Sequence, residues 1–257
     1  MLRHTSAIHG YSIGATDGPI GSVSDFLFDD ESWRVRWLVV DTGGFLGGRT
    51  VLLPPSALSH VNHVGRQLAV TLTRQQLKDG PAITADQPVS RQMESDLYDY
   101  YGWGPYWSMG FYMGGYYYPG GPYAPNGGGV HARDHAAAED GHPRGDIHLR
   151  SVREVTGYHI HARDGEIGHI SDFLLEDGDW SVHYLVVSTQ DWWPGKKVLI
   201  SPRSILSTNW STRTVSLDVD KATVKDSPAY DGSQEVDRAY EYAFHGYYDG
   251  RRVTEPV

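Results

Sequence analysis

Two aspartates, Asp25 and Asp172, have the residue type and the setting that proton chemistry can use. They stand in the related segments SVSDFLFDD and HISDFLLED, each beside an apolar run. A carboxylate in such a place can act as an acid or proton relay, or it can accept hydrogen bonds from the backbone of an adjacent turn. No His, Lys or Ser at a plausible partner position accompanies both aspartates, so the structural role is the favoured interpretation.

Two further aspartates are each followed by glycine, Asp17 by Gly18 and Asp164 by Gly165. Such a pair between short extended runs is a hairpin-turn signal, because glycine accepts the positive φ that tight turns require. An aspartate at this place could instead ligate a metal ion, but the turn is the favoured interpretation.

Histidine supplies the other candidate metal ligands. The chain has 13 His and no Cys, which excludes disulfides and thiolate sites. His159 and His161 are two residues apart, so they could share one face of a strand. A zinc site needs three or four well-spaced ligands, and the sequence pattern shows no such set. We therefore predict no metal site and no cofactor.

The glycine-rich segment 42–50, TGGFLGGRT, could suggest a phosphate-binding loop. It lacks the GxxxxGK[ST] order and the helix that should follow, so we interpret it as a loop that connects strands. Phe45 and Leu46 in this loop correspond to Trp192 and Trp193 in a second, related loop. Exposed aromatic side chains are good contact anchors, so these four residues are candidate partner contacts, with packing against the protein itself as the alternative.

Enzyme motifs are absent from the sequence. The chain contains neither GxSxG nor HExxH, and it has no repeated acid pair of the glycosidase kind. We therefore predict a protein that is not an enzyme.

The sequence contains the same unit twice, with a constant offset of 147 residues. From Gly10 to Leu58, 23 of 49 residues are identical to those of the second unit. The same offset relates 87–101 to 234–248, so each unit includes a C-terminal segment. The stretch between the units is rich in Gly, Tyr and His and has no counterpart. The predicted domains are a first repeat at 1–103, a flexible linker at 104–150 and a second repeat at 151–257.

Each repeat contains short alternating or apolar runs separated by turn signals, which is typical of a small closed barrel or sandwich. Apolar residues then recur at every fourth position, which predicts a helix with one apolar stripe. These residues are Val89, Met93 and Leu97 in the first repeat and Val236, Tyr240 and Phe244 in the second. The predicted fold is mainly β: two tandem small β-barrels, each followed by a short C-terminal helix, joined by a Gly/Tyr-rich linker.

Both repeats carry the pattern G-x-x-[IV]-x-x-x-D-G-x-I-G-x-[VI]-x-D-[FL]-L, followed by W-x-V-x-[WY]-L-V-V and [KR]-x-V-L-[LI]-x-P. This pattern resembles the PRC-barrel family, which is related to the cytoplasmic domain of the photosynthetic reaction centre H subunit. The resemblance implies a small β-barrel that docks to other proteins. In the H subunit, this domain covers the cytoplasmic face and influences electron and proton transfer to a quinone. A related barrel occurs in a ribosome-maturation factor.

Composition and charge indicate the cellular location and the classes of partner to expect. No apolar run approaches the roughly 20 residues needed to span a bilayer, and the start MLRHTSAIHGYSIG has no apolar segment of the signal-peptide type. The net charge is −10, and neither repeat has the basic stripe of a nucleic-acid binder. We expect a cytoplasmic protein without a transmembrane segment and without a nucleic-acid partner.

Three functional hypotheses follow. The first is a non-enzymatic protein-binding or scaffold protein, whose partner is unknown and whose two repeats pair as a pseudo-dimer or self-associate. The second, implied by the resemblance, is an accessory of a membrane electron-transfer complex. The third is an RNA- or ribosome-associated factor, which the acidic charge disfavours.

Overall fold

The computed structural model describes residues 1–44, 47–80, 91–103, 146, 148–189, 196–228, 230–231, 236 and 238–249. The chain forms two compact units, of which the larger holds two β-sheets and the smaller holds one helix near residue 100. Most of the predicted linker at 104–150 lies outside the described residues.

The first repeat begins with a short segment that we call the first arm, made of strand β1 (Leu2–His4) and the one-turn helix α1 (Thr5–Ile8). The strands that follow are β2 (Ser12–Ala15), β3 (Gly18–Asp29), β4 (Val35–Asp41), β5 (Thr50–Leu53), β6 (Leu58–Asn62) and β7 (Gln67–Val70). A 3-10 turn at Pro55–Ala57 precedes β6, helix α2 (Arg74–Asp79) follows β7, and α3 (Arg91–Tyr101) is the helix of the smaller unit.

The second repeat has the same series of elements. Its second arm consists of strand β8 (Leu149–Ser151) and helix α4 (Val152–Val155). The later strands are β9 (His159–Ala162), β10 (Gly165–Glu176), β11 (Val182–Ser188), β12 (Lys197–Ile200), β13 (Ile205–Asn209) and β14 (Thr214–Leu217). A 3-10 turn at Pro202–Ser204 precedes β13, and the helices α5 (Lys221–Lys225) and α6 (Arg238–Asp249) follow β14.

Each sheet has seven strands, and its seventh strand comes from the other repeat. The first sheet runs β5-β4-β3-β2-β7-β6 with β8 beside β3, and the second runs β12-β11-β10-β9-β14-β13 with β1 beside β10. Both arms are antiparallel to their partners, in the same register: Leu2 faces Glu176, and Leu149 faces Asp29. The repeats therefore exchange their arms reciprocally.

A second backbone contact joins the repeats at their approximate twofold axis. Arg34 and Ser181 form an antiparallel bridge. On either side of it, the N–H of Val35 donates to the carbonyl of Trp180 at 2.8 Å, and the N–H of Val182 donates to that of Trp33 at 2.7 Å. The two tryptophans have φ of 58° and 55°, in the left-handed region that bulky residues seldom adopt. Trp33 and Trp180, which occupy equivalent positions in the two repeats, thus lie directly before the residues that form this bridge.

Aromatic side chains continue the contact between the repeats. The rings of Phe28 and Phe173 are 5.8 Å apart, and those of Phe26 and Trp180 are 6.4 Å apart, within the range of favourable ring pairs. All four residues are buried. The apolar contact between the repeats is therefore continuous with the cores of their sheets.

Helix α6 covers one face of the second sheet. Val236, Tyr240 and Phe244, the predicted stripe, pack in one cluster with Leu174 of β10 and Tyr184 of β11. The ring of Phe244 lies 4.9 Å from that of Tyr184 in an edge-on arrangement. The amphipathic spacing thus places the apolar side of α6 against the sheet.

The predicted fold class is confirmed as a mainly β protein with two similarly arranged sheets and a helix late in each repeat. The predicted domain limits stay predictions. The structure adds that Leu149 and Arg150, the end of the predicted linker, form part of strand β8.

Two retained glycines lie where strands approach most closely. A Cβ added at Gly21 would overlap the backbone carbonyl of Asp41, and one at Gly168 would overlap the carbonyl of Ser188. Gly14, in contrast, has open space around the Cβ position. Glycine at 21 and 168 is therefore required by the strand contact itself.

We predict that Gly21→Ala lowers the free energy of unfolding by about 1–3 kcal/mol, because the added methyl group must push two strands apart. The matched control Gly14→Ala should leave it nearly unchanged. Urea denaturation followed by circular dichroism measures both. Equal stability of the two variants would contradict the close contact.

Candidate functional site

The carboxylate of Asp25 holds the second arm on the first sheet. One oxygen, Oδ2, accepts a hydrogen bond from the Ser151 hydroxyl at 2.5 Å. The other, Oδ1, accepts from the backbone N–H of Arg153 at 3.1 Å and from that of Phe26 at 2.8 Å. Asp25 is buried. Both of its oxygens are therefore occupied at the point where β8 turns into α4.

The carboxylate of Asp172 holds the first arm on the second sheet in the same way. Its Oδ1 accepts from the Thr5 hydroxyl at 2.7 Å and from the Phe173 N–H at 2.8 Å. Its Oδ2 accepts from the Ser6 hydroxyl at 2.5 Å and from His4 Nδ1 at 2.8 Å. We call the Asp25 and Asp172 sites, each with its bound arm, the two clamps.

The second sheet's clamp extends to a tyrosine. His4 Nδ1 donates to Asp172, so its Nε2 can accept from the Tyr230 hydroxyl at 2.6 Å. Burial raises the pKa of Tyr230 to about 12, which keeps that hydroxyl protonated near neutral pH. The chain Asp172–His4–Tyr230 therefore ties the first arm to the C-terminal part of the second repeat.

The charge state of Asp172 bears on its chemistry. Burial by itself raises the pKa of Asp172, but the hydrogen bonds from His4, Ser6 and the rest of the arm outweigh burial and lower that pKa to about 2. A general acid or proton relay works best with a pKa near the operating pH. The geometry of Asp172 therefore favours a permanent anion that binds the arm.

The Asp-Gly pairs begin strands β3 and β10. Gly18 has φ of 145° and Gly165 has φ of 133°. The carboxylate of Asp17 accepts from the N–H of Arg74 at 2.7 Å, and that of Asp164 accepts from the N–H of Lys221 at 2.8 Å. Each aspartate therefore also binds the first residue of the helix that follows the last strand of its repeat.

The candidate contact residues Phe45, Leu46, Trp192 and Trp193 lie outside the described residues. Their proposed role in partner binding stays a prediction.

A groove of about 770 Å³ lies between the repeats along β13, the last strand of its sheet, whose outer edge pairs with no strand of the described residues. We call it groove A. The turn at 30–34 forms one wall, and β13 with the preceding Pro202–Ser204 turn forms another. Residues of the segment 179–184, Trp210 and His245 also line the groove. Leu206 of β13 is 65% exposed, which is unusual for a large apolar side chain. Groove A thus combines the outer edge of a terminal strand with an exposed apolar residue.

The equivalent groove B, along β6, is smaller at about 440 Å³. Its lining residues correspond to those of groove A at the constant offset. One difference lies near its end: His63 binds Asp177 at 3.0 Å, whereas the equivalent Trp210 carries the guanidinium of Arg150 4.0 Å from its ring centroid. Another is Ser59, which stands where groove A has Leu206. The two grooves therefore offer different surfaces.

The described residues contain neither a ready-made metal site nor a membrane-spanning helix. Among the described residues, no group of three or more His, Asp or Glu side chains is arranged so that it could hold a metal ion. No helix there is both long enough and apolar enough to cross a membrane.

The arms are the functional element that the sequence analysis missed. It placed Asp25 and Asp172 beside an adjacent turn, whereas their additional partners come from the other repeat. The available signal was the alignment of LRHTSAI (2–8) with LRSVREV (149–155) at the same offset of 147 residues. That alignment shows that the arms are equivalent, but not which sheet each one joins.

We predict that the Asp172 clamp makes stability depend on pH. The folded pKa is lowered to about 2, so the ionised carboxylate contributes about 2 kcal/mol that is fully present above pH ~4 and is lost as the pH falls through ~2. Asp172→Asn should remove this dependence. The measurement is the free energy of unfolding of wild type and variant across that pH range. Parallel curves for the two proteins would show that the clamp carboxylate contributes nothing.

Comparison with known proteins identifies a family to which the first repeat is similar. The family model of the PRC-barrel domain matches residues 10–77. An uncharacterized protein of Deinococcus radiodurans is similar to the chain, with 35% identity over 80 residues. That stretch is 31% of this chain and 28% of the relative, so the similarity spans less than a third of either protein. The resemblance seen in the sequence is therefore confirmed for the first repeat: residues 10–77 are a PRC-barrel domain.

Proposed function

We propose that this protein is a non-enzymatic binding or scaffold protein whose two repeats act as one platform. A PRC-barrel domain in the first repeat is consistent with a general binding role. The second sheet has the same strand order as the first, and 23 of 49 residues from Gly10 to Leu58 recur at the constant offset. We infer that the second repeat is a further copy of this domain.

No catalytic role is proposed for the retained carboxylates. Asp25 and Asp172 have their oxygens engaged with the arms, so neither is available to a substrate in this arrangement. Their retention in both repeats is accounted for by the clamps. A cytoplasmic location is part of the same proposal.

The observation that carries the proposal is groove A. The outward edge of a terminal strand presents a row of backbone N–H and C=O groups that an extended segment can pair with. Leu206 lies on that strand with 65% of its surface exposed. An extended segment of a partner protein could therefore add a strand to β13 and cover Leu206 with one apolar side chain. Binding of this kind depends on the backbone edge of β13 and on the apolar surface of Leu206, and it needs no cofactor.

The test compares Leu206→Lys with Ser59→Lys. The first change places a charge on the edge of groove A, which opposes strand addition. The second makes the same change at the equivalent position of groove B. We expect Leu206→Lys to reduce crosslinked capture of the native partner by about tenfold, as loss of a central apolar anchor does, while Ser59→Lys captures as wild type does. Quantitative mass spectrometry of proteins crosslinked in the native cell provides the measurement.

Equal capture by wild type and Leu206→Lys would overturn the assignment to groove A. The identity of the captured protein separates the general binding role from the two alternatives. A membrane electron-transfer protein would favour the accessory role, and ribosomal components would favour the RNA-associated role.

A further inference from the structure

A group of polar side chains covers the outer face of the hairpin formed by β9 and β10. The inward-facing residues of these two strands belong to the core, and each has less than a tenth of its surface exposed: Ile160, Ala162, Ile167 and Ile170. The outward residues, which we call the histidine face, are His159, His161, Glu166 and His169. All four are at least partly exposed, so the sheet presents three imidazoles and one carboxylate to the surface on one side.

Strand register brings these residues together as a two-by-two block. His159 faces His169 and His161 faces Glu166 across the antiparallel pair. A β-bulge between Glu166 and Gly168 inserts one extra residue, Ile167, which keeps Glu166 and His169 on the same side although they are three positions apart. Directly opposed residues have Cβ atoms about 4.5–5.5 Å apart. The three imidazoles are therefore neighbours.

The first repeat lacks this face entirely. At the constant offset, His159, His161, Glu166 and His169 correspond to Ser12, Gly14, Pro19 and Ser22. The first repeat forms the same hairpin with these small or neutral residues. The fold therefore does not require imidazoles at these positions, and their presence in the second repeat needs another explanation.

The hydrogen bonding of the face prepares one imidazole for a metal. His159 Nδ1 lies 2.6 Å from Glu166 Oε1. An ionised carboxylate only accepts, so Nδ1 carries the proton and, in the neutral imidazole, Nε2 keeps its lone pair. Metal-binding histidines commonly have such a carboxylate behind them. Among the described residues, neither the His161 nor the His169 imidazole has a side-chain hydrogen-bond partner, and both are partly exposed.

We propose that His159, His161 and His169 form a binding site for a divalent transition-metal cation such as Zn²⁺, with Glu166 as the residue that positions His159. Two alternate residues of one strand and one from its neighbour can converge above a sheet as three ligands, and imidazole nitrogen is a ligand that Zn²⁺ favours. In the described rotamers the three imidazoles do not yet meet at one point. Metal binding therefore requires the side chains of His161 and His169 to rotate toward His159. This proposal is independent of groove A.

The experiment uses the full chain without an affinity tag, with Zn²⁺ followed by calorimetry and Co²⁺ followed by its visible absorption. His159→Ser and His169→Ser install the residues of the first repeat, which forms the same hairpin, so the variants retain the fold. We expect one Zn²⁺ per chain in the wild type and loss of that site in both variants. Glu166→Gln should weaken binding by about tenfold, as loss of a supporting carboxylate does.

The control variant replaces three other histidines, His131, His135 and His142, by alanine. It should bind Zn²⁺ as the wild type does, and Co²⁺ bound to both proteins should give the absorption of a four-coordinate site. If His159→Ser and His169→Ser bind as tightly as the wild type, or if only the control variant loses binding, the protein holds an adventitious ion only, outside the histidine face, and the proposal is overturned. The absence of any binding by the wild type at micromolar Zn²⁺ would also overturn it.

Discussion

The reciprocal exchange of two short arms is the constraint on which the rest of this structure depends. Each arm is only a three-residue strand and one helical turn, too short to be stable alone. It is held because a carboxylate, that of the buried Asp25 or of the half-buried Asp172, accepts hydrogen bonds from the serine hydroxyl of the arm and from a backbone N–H at its turn. Because each clamp joins one repeat to the other, loss of either carboxylate weakens both the sheet and the union of the repeats.

This union explains which residues the repeats share and which they do not. The shared residues include the clamp aspartates, the Trp33 and Trp180 pair at the twofold axis, and the glycines at the closest strand approach. The differences lie on surfaces: Leu206 faces groove A where groove B has Ser59, and the histidine face occurs only on the second repeat. One repeat can therefore change its surface without loss of the common scaffold.

Much of the fold could be predicted from sequence, because strands, turns and the stripe of α6 are local patterns that the repeat shows twice. The bulge between Val23 and Asp25 could not be predicted from the sequence. It explains why Val23, Phe26 and Phe28 are all buried, although strict alternation would place Val23 on the opposite face from the two phenylalanines. The arm exchange also escaped prediction, since both sheets offer an equivalent edge to either arm. The histidine face required the register of β9 and β10, which spacing within one strand does not reveal.

The most direct test of the arm exchange uses the absence of cysteine in the chain. In Leu2→Cys with Glu176→Cys, the thiols occupy register partners of the exchanged pairing, whose Cα separation suits a disulfide. In Leu2→Cys with Asp29→Cys, they occupy the equivalent positions of an unexchanged pairing. Mass spectrometry after mild oxidation of the monomer should find a rapid intramolecular disulfide in the first variant and little in the second. The reverse result would contradict the exchange and, with it, this account of the clamps.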